Sequence, residues 1–389
     1  MLVATPVSAT DSSNQEKLVA ELDALRQDSI AVARETQQHQ GRLAPLDRKV
    51  VLLGQDAAAR RRGLEESRVE QAQLLGALER LARHPPDQMP PQPGTPLDQA
   101  RSRILLAATV PALRAKARAL AGEIEATAAL RARLSGGQDE LIELRDTLAR
   151  DRERLAEISA RRAELVRQLL PDTDKGASQP ANAGEPDLAQ LIARADAAAE
   201  RREKTLLARA RAGLSREKAE ALTPALADPT RPHDLRSFDA AEGAMLLPVS
   251  GTVMVPLDKP ADSKALSRGL TVTSLPGAVV VTPFDGKIVY AGLFHPYELV
   301  LIIRHTDGYH SLLAGLGRAD IAVGQWVLGG EPVGVMPDAA EPSSSGVIYF
   351  ELRRDGRPVD PQPWLAKRDE SERDDAATEQ KVGDQKVRE

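Results

Sequence analysis

The chain has 389 residues, more than one hydrophobic core usually holds, so two or three structural units are expected. Its 52 Lys and Arg are interleaved with 57 Asp and Glu for a net charge of -5, which excludes the basic footprint of a nucleic-acid or anionic-lipid binder. With no cysteine there is no disulfide framework, thiolate nucleophile or Cys-ligated zinc, and no apolar run approaches the roughly 20 residues that span a bilayer.

Met1 to Ala9 is short, apolar and ends in small residues, which suits either the remnant of a secretory signal or an ordinary disordered terminus over residues 1–15. All Phe, Tyr and Trp lie at or after Phe238. The aromatic-free remainder, rich in Ala, Leu, Arg, Glu and Gln, has the composition of long helices. From Glu16 to Arg83 apolar residues recur at three- and four-residue steps (Leu18, Leu22, Leu25, Val32, then Leu43, Leu46, Val50, Leu53), interrupted only by Pro45. His84 to Pro96, with its clustered prolines, ends that arm. A second arm carries a seven-residue ladder, Leu113, Leu120, Thr127, Leu134, Leu141, Leu148, Leu155, with a break expected at Gly136-Gly137. Two arms of similar length predict an antiparallel coiled-coil hairpin over residues 16–170, its charged faces solvated. The exception is Leu97, Ile104, Leu105, Leu106, Val110 and Leu113, apolar on more than one helix face and so a candidate partner patch.

Residues 171–186 read as a Pro, Gly and Ser linker. A helix from Asp187 comes next, with Leu188, Leu191, Ile192, Ala195, Ala199 and Leu206 on one stripe, then a short helix from Ser215 that Pro224 ends. This pair, residues 187–227, must dock on either the rod or the C-terminal domain. Residues 228–243 read as a second linker.

Over residues 244–365 short Val, Ile, Tyr and Phe runs separated by Gly, Pro and Asp predict an antiparallel β domain. Its strands are expected at Gly251–Val255, Leu270–Ser274, Val279–Thr282, Gly286–Leu293, Leu299–His305, Tyr309–Leu313, Val333–Met336 and Val347–Arg353, with Thr306-Asp307-Gly308 as a hairpin turn. The charged residues 366–389 are expected to be disordered. The fold class is thus α+β and multidomain.

The runs TPFDGKIVYAG, LVLIIRHTDGYHSLLAGL, VGQWVLGGEPVGV and GVIYFELRRDGRPVDPQPWL resemble, in order and spacing, the LytM (lysostaphin-type) zinc endopeptidase domain. The resemblance implies an antiparallel sheet with a groove and, in active members, zinc held by His and Asp beside an open water position. Here the positions matching those ligands are Ser267, Thr271, Gly315, Val347 and Tyr349. Without imidazole or carboxylate these residues hold no metal and lower no water's pKa, so no cofactor and no hydrolysis are expected. His295, His305 and His310 remain nearby, read as structural and, for the last two, as flanking a turn at the sheet edge; Glu351 and Asp360 are read as structural too.

The hairpin, the linker helix and the degenerate LytM-type domain together resemble the EnvC family of murein hydrolase activators. That resemblance implies an exported, periplasmic protein whose groove binds a zinc-dependent N-acetylmuramoyl-L-alanine amidase and displaces its autoinhibitory helix, so that peptidoglycan is split at division. It implies a groove made by Arg268, Thr271, Tyr297, Val300, Tyr349 and Arg353, covered by a restraining arm over residues 187 to about 226. It also implies contact between the apolar patch near Leu97 to Leu120 and the periplasmic loop of FtsX in the FtsE-FtsX complex. An active zinc endopeptidase and a periplasmic efflux or secretion adaptor are the rival readings. The missing ligands oppose the first, and the lack of any strand-like segment before Glu16 opposes the second.

Overall fold

The structure, a computed structural model, describes residues 9–66, 68–83, 96–169, 188–211, 228–232, 234–254, 269–295, 297–338 and 346–366. Four helices, α1 (Ala9–Glu66), α2 (Arg68–Arg83), α3 (Pro96–Leu169) and α4 (Leu188–Arg211), precede the strands. These are β1 (Gly251–Met254), β2 (Leu270–Ser274), β3 (Val279–Val281), β4 (Gly286–Leu293), β5 (Leu299–Arg304) and β6 (Tyr309–Leu316). Then come β7 (Arg318–Ala319), β8 (Trp326–Val327), β9 (Pro332–Val335), β10 (Val347–Arg354) and β11 (Arg357–Val359). The stretches 84–95, 171–186 and 367–389, the short helix expected from Ser215, and the signal-like Met1–Ser8 lie outside the described residues.

The chain divides into two compact units, residues 42–147 and the remainder. In the smaller unit α1 and α3 run antiparallel: Arg42 Nη2 donates to Glu140 Oε1 at 3.2 Å and Arg145 Nη2 to Asp47 Oδ1 at 3.2 Å. Gly136-Gly137 does not break α3, which is continuous from Pro96 to Leu169. A Cβ on Gly137 would lie 3.1 Å from Val50 Cγ2. Glycine at that point lets the two helices approach closely, and packing outweighs its poor helix propensity. The patch residues Leu97, Ile104, Leu105, Leu106 and Val110 are on α3, but their side chains lie outside the described residues; Leu113 is half-buried.

In the larger unit α1 starts at Ala9, within the stretch expected to be disordered. Its seam is the one read from sequence: Leu22 packs against Leu165 and Val166. The helices here are not a freely solvated rod. Val32, Ala33, Leu155 and Ile158 bury themselves against Val279 of β3 and Val281. The buried Arg162 donates to Glu331 Oε1 at 2.5 Å, and the buried Arg26 donates to the Thr230 carbonyl at 2.7 Å. Polar residues of a heptad surface are thus spent on a tertiary contact, which helical periodicity does not signal.

The strands form two antiparallel sheets, one in the order β1-β2-β10-β6-β5-β4-β8 with β11 on β10, the other β3-β9-β7. One face of the large sheet, through Val272, Ile288, Leu301, Ile303, Ile348, Phe350 and Leu352, builds the main core with Phe284, Met245 and Val333. The opposite face, through Val300, Ile302, Leu312, Ala314 and Tyr349, is covered by α4. With both faces buried, Leu299–Arg304 reads as an unbroken apolar run. The Asp307-Gly308 turn has both residues at positive φ, 59° and 75°, as a type I′ hairpin demands.

Residues 228–243 are not a linker. Phe238 is fully buried, stacks on Tyr309 at 4.2 Å and packs on Phe284 (5.5 Å) and Trp364 (4.9 Å). Asp228 and Thr230 are also buried. The domain therefore begins before residue 244, and Pro232 and Pro229 mark an ordered turn rather than a hinge.

Candidate docking face

Strand register aligns the residues of the α4-covered face in three rungs. In the first, Thr271 (β2) pairs with Tyr349 (β10), Tyr349 with Ala314 (β6), Ala314 with Val300 (β5) and Val300 with Gly292 (β4). The second holds Glu351, Leu312, Ile302 and Tyr290. The third holds Arg353, His310, Arg304 and Lys287. The period-2 alternation of side chains places all three rungs on one face.

Tyr349 fills the position at which the sequence comparison expected a metal ligand. Its ring lies over Gly269, where an added Cβ would be 2.5 Å from it, so any side chain at 269 would push the ring aside. Its hydroxyl donates to Glu351 Oε2 at 2.6 Å, and Arg353 Nε donates to Glu351 Oε1 at 2.5 Å. Burial, with the Glu351 carboxylate beside it, pushes the Tyr349 phenol well above its ordinary range and keeps it protonated. Glu351 thus serves as a local counter-charge to Arg353 and as acceptor for the Tyr349 hydroxyl.

The remaining positions fit zinc no better. Thr271 offers a neutral hydroxyl and Val347 no donor. Gly315 is the extra residue of a bulge, where Leu299 pairs with Leu316 but Val300 with Ala314. Its φ is 91°, and a Cβ there would lie 2.7 Å from the Val347 carbonyl. This backbone admits no imidazole at residue 315. Ser267 and Arg268 lie outside the described residues. Among the described residues no cluster of three His, Asp or Glu side chains could hold a metal.

The histidines are differently engaged. His305 is buried against Phe238, donates from Nδ1 to the Asp285 carbonyl at 2.8 Å and accepts from Ser311 Oγ at 2.8 Å through Nε2. Burial lowers its pKa from 6.5 to about 4, the Asp285 carbonyl opposing and the neighbouring His310 reinforcing the shift. His310 is not at a sheet edge, since β6 lies between β10 and β5. Its Nε2 is 3.0 Å from Asp196 Oδ1 of α4. His295 is exposed. Asp285 anchors the loop below: burial raises its pKa, but hydrogen bonds from the Arg236 side chain and from the Gly329 and Arg236 backbone N–H groups outweigh this and hold it below the ordinary range.

Helix α4 uses the stripe read from sequence except for Leu206, which is half-buried and outside the cluster the other five form. Leu188, Leu191, Ile192, Ala195 and Ala199 are buried on Val289, Phe294, Val300, Ile302, Leu312, Ala314 and Tyr349, with Tyr290 and Tyr297 half-buried at the rim. Phe294 and Tyr297 stack at 6.0 Å across a turn that places Glu298 at a φ of 60°. Further along, Glu203 accepts from Arg304 Nη2 and from Lys287 Nζ, the latter at 3.3 Å, and Lys287 Nζ also reaches Asp228 Oδ2 at 3.2 Å. Of the residues expected to make a groove, the structure gathers Thr271, Tyr297, Val300, Tyr349 and Arg353 on this one face. Sequence reasoning missed Lys287, Arg304 and His310 as its lower rung. The available signal was strand alternation from Val300 and Ala314.

Residues 265–361 match the model of peptidase family M23, so the sheet bearing this face is an M23-type domain. The chain is similar to "Murein hydrolase activator EnvC" of Escherichia coli, 29% identical over 190 residues, 48% of this chain and 45% of that one. It is also similar to "Lipoprotein NlpD/LppB homolog" of Pseudomonas aeruginosa (32% over 133 residues; 33% and 42% of the two chains). A third relative is "Murein hydrolase activator NlpD" of Escherichia coli (29% over 107 residues; 27% and 28%). The aligned stretches span less than half the length of each relative. Among the described residues no helix is long and apolar enough to cross a membrane.

Proposed function

We propose that this chain is a non-enzymatic activator of a zinc-dependent N-acetylmuramoyl-L-alanine amidase, acting on peptidoglycan only through that partner, in the periplasm at cell division. The observation that carries the reading is a substitution of chemistry. Positions that would hold a metal carry Thr271, Val347 and Tyr349, and the resulting apolar face is already occupied by a helix of the same chain. A tyrosine and arginine beside an apolar floor are the residue types that anchor interfaces. The names of the relatives support the activator role.

In this reading Arg268, Thr271, Tyr297, Val300, Tyr349 and Arg353 contact the amidase and draw away its autoinhibitory helix. Helix α4 is the restraining arm, and its release is a shift between covered and open populations. The FtsE-FtsX complex drives that shift through the periplasmic loop of FtsX, which binds the hairpin at Leu97, Ile104, Leu105, Leu106, Val110 and Leu113. The test is release of dye from labelled peptidoglycan. The chain alone should release none, with or without a chelator, and should raise release by a purified amidase. Chelator-sensitive release by the chain alone would overturn the reading in favour of a zinc endopeptidase.

A further inference from the structure

Where α3 meets the β3-β9-β7 sheet the structure leaves an open cleft of about 290 Å³, at the lower end of the ~300–1,000 Å³ of small-molecule sites. It shares no residue with the face that α4 covers. Leu155 and Val279 give it an apolar lining, and its charged lining is of both signs: Arg152 of α3 and Arg318 of β7 with Asp320 and Asp338. Arg318 and Asp320 neutralise each other through two hydrogen bonds, of 2.6 and 3.1 Å. Arg152 and Asp338 are both exposed and form no ion pair with each other. Arg152 is held by one hydrogen bond, 3.3 Å from Nη2 to the Pro276 carbonyl, and the Asp338 carboxylate accepts none among the described residues.

These two unpaired charges converge on a glycine. Leu275 to Ala278 is a turn closed by the Ala278 N–H on the Leu275 carbonyl at 3.1 Å, with Pro276 second and Gly277 third at a φ of 64°, the residues a type II turn selects. The Gly277 N–H bonds the Pro337 carbonyl at 3.1 Å, which ties the turn to the segment bearing Asp338. A Cβ at residue 277 would lie 2.9 Å from Asp338 Oδ1 and 3.2 Å from Arg152 Nη2. A guanidinium and a carboxylate thus reach one point that glycine leaves open, each without the other as partner. We propose that the cleft binds a short peptide with both ends free, its carboxylate on Arg152, its ammonium on Asp338 and its side chains against Leu155 and Val279. An anion alone meets two aspartates there and a cation alone two arginines, so a ligand carrying both charges is the one the site selects. The inference goes beyond the amidase role and does not depend on it.

The probe is the dipeptide alanyl-alanine, titrated into the full chain and read by saturation-transfer NMR, beside its N-acetyl form, which lacks the ammonium, and its C-terminal amide, which lacks the carboxylate. The expected result is saturable binding of the free dipeptide and at least fivefold weaker binding of either blocked form. Arg152→Gln should weaken the free dipeptide at least fivefold and leave the amide unchanged, whereas Asp338→Asn should weaken the free dipeptide and leave the N-acetyl form unchanged. That pairing of each charge with one end is a result that loose surface attraction does not produce. Ala156→Trp, at an exposed position of α3 that lines the cleft, should abolish binding by filling it. Unchanged melting temperatures check that the three altered chains remain folded. No saturable binding to the unaltered chain, equal binding of the free dipeptide and a blocked form, or binding insensitive to either charge substitution would each overturn the proposal. Any of these failures leaves the amidase reading untouched, since dye release by the amidase is measured separately.

Discussion

Helix α4 forms an apolar cluster separate from the main core, so loosening it should leave the domain folded. Leu191→Ala with Ile192→Ala tests this, since both side chains are buried, at 6% and 3% exposure. Each truncation removes about three carbons from an apolar contact, about 2.4 kcal/mol at ~0.8 kcal/mol per methylene, or about 5 kcal/mol together. Alanine is the best helix former, so α4's intrinsic helicity does not fall. At about 1.4 kcal/mol per factor of ten, the open fraction should rise about a thousandfold. Tryptic cleavage after Arg201, Arg202 and Lys204, followed by mass spectrometry, reads that fraction when opening and closing are fast relative to cutting. The expected outcome is a rise of two to three orders of magnitude at those bonds, with the melting temperature of the β domain little changed. A rise below tenfold, or a melting temperature that falls in step with faster cleavage, would refute the separation of arm and core.

Phe238→Ala should cost about 3–5 kcal/mol and lower the domain's melting temperature by ~10 °C or more, because it empties the centre of an aromatic cluster. A chain cut at residue 244 should be destabilised likewise, whereas one cut at 228 should not; calorimetry distinguishes them. His305 has a folded pKa of about 4 against 6.5 when unfolded, so the unfolded chain takes up its proton first as pH falls. Its contribution, ~3 kcal/mol, is fully present above about pH 6.5, declines between 6.5 and 4 and is exhausted below, and His305→Gln should flatten denaturation midpoints across that window. Arg162→Ala strands the Glu331 carboxylate in a dry site and should cost about 3–5 kcal/mol, while Arg162→Met with Glu331→Leu should recover most of it in urea titrations.

Local patterns carried much of this fold into the sequence. The strands Leu270–Ser274 and Gly286–Leu293, the Asp307-Gly308 turn and the α4 stripe are each set by residues a few positions apart, and they stand where periodicity and turn chemistry place them. What could not be read locally depends on distant partners. Gly136-Gly137 looks like a helix break until Val50 packs against it. Phe238 sits in a segment rich in breakers, and only Phe284, Tyr309 and Trp364, up to 126 residues away in sequence, show it to be core. Arg26 and Arg162 look like solvated heptad surface until Thr230 and Glu331 receive them. The docking face was half legible: Tyr349 and Arg353 came from resemblance, whereas the basic rung required the register of four strands. The bulge at Gly315 was invisible, because a sequence alignment counts residues and a bulge changes where they point.

The central claim is that α4 occludes a face whose role is to engage an amidase. Dye release from labelled peptidoglycan by one purified amidase, with equal amounts of the unaltered chain or the Leu191→Ala, Ile192→Ala chain, addresses it directly. The account expects neither chain to release dye by itself and the altered chain to stimulate the amidase several-fold more than the unaltered one. Equal stimulation by the two chains, or none by either while the altered chain's arm is demonstrably open, would contradict it.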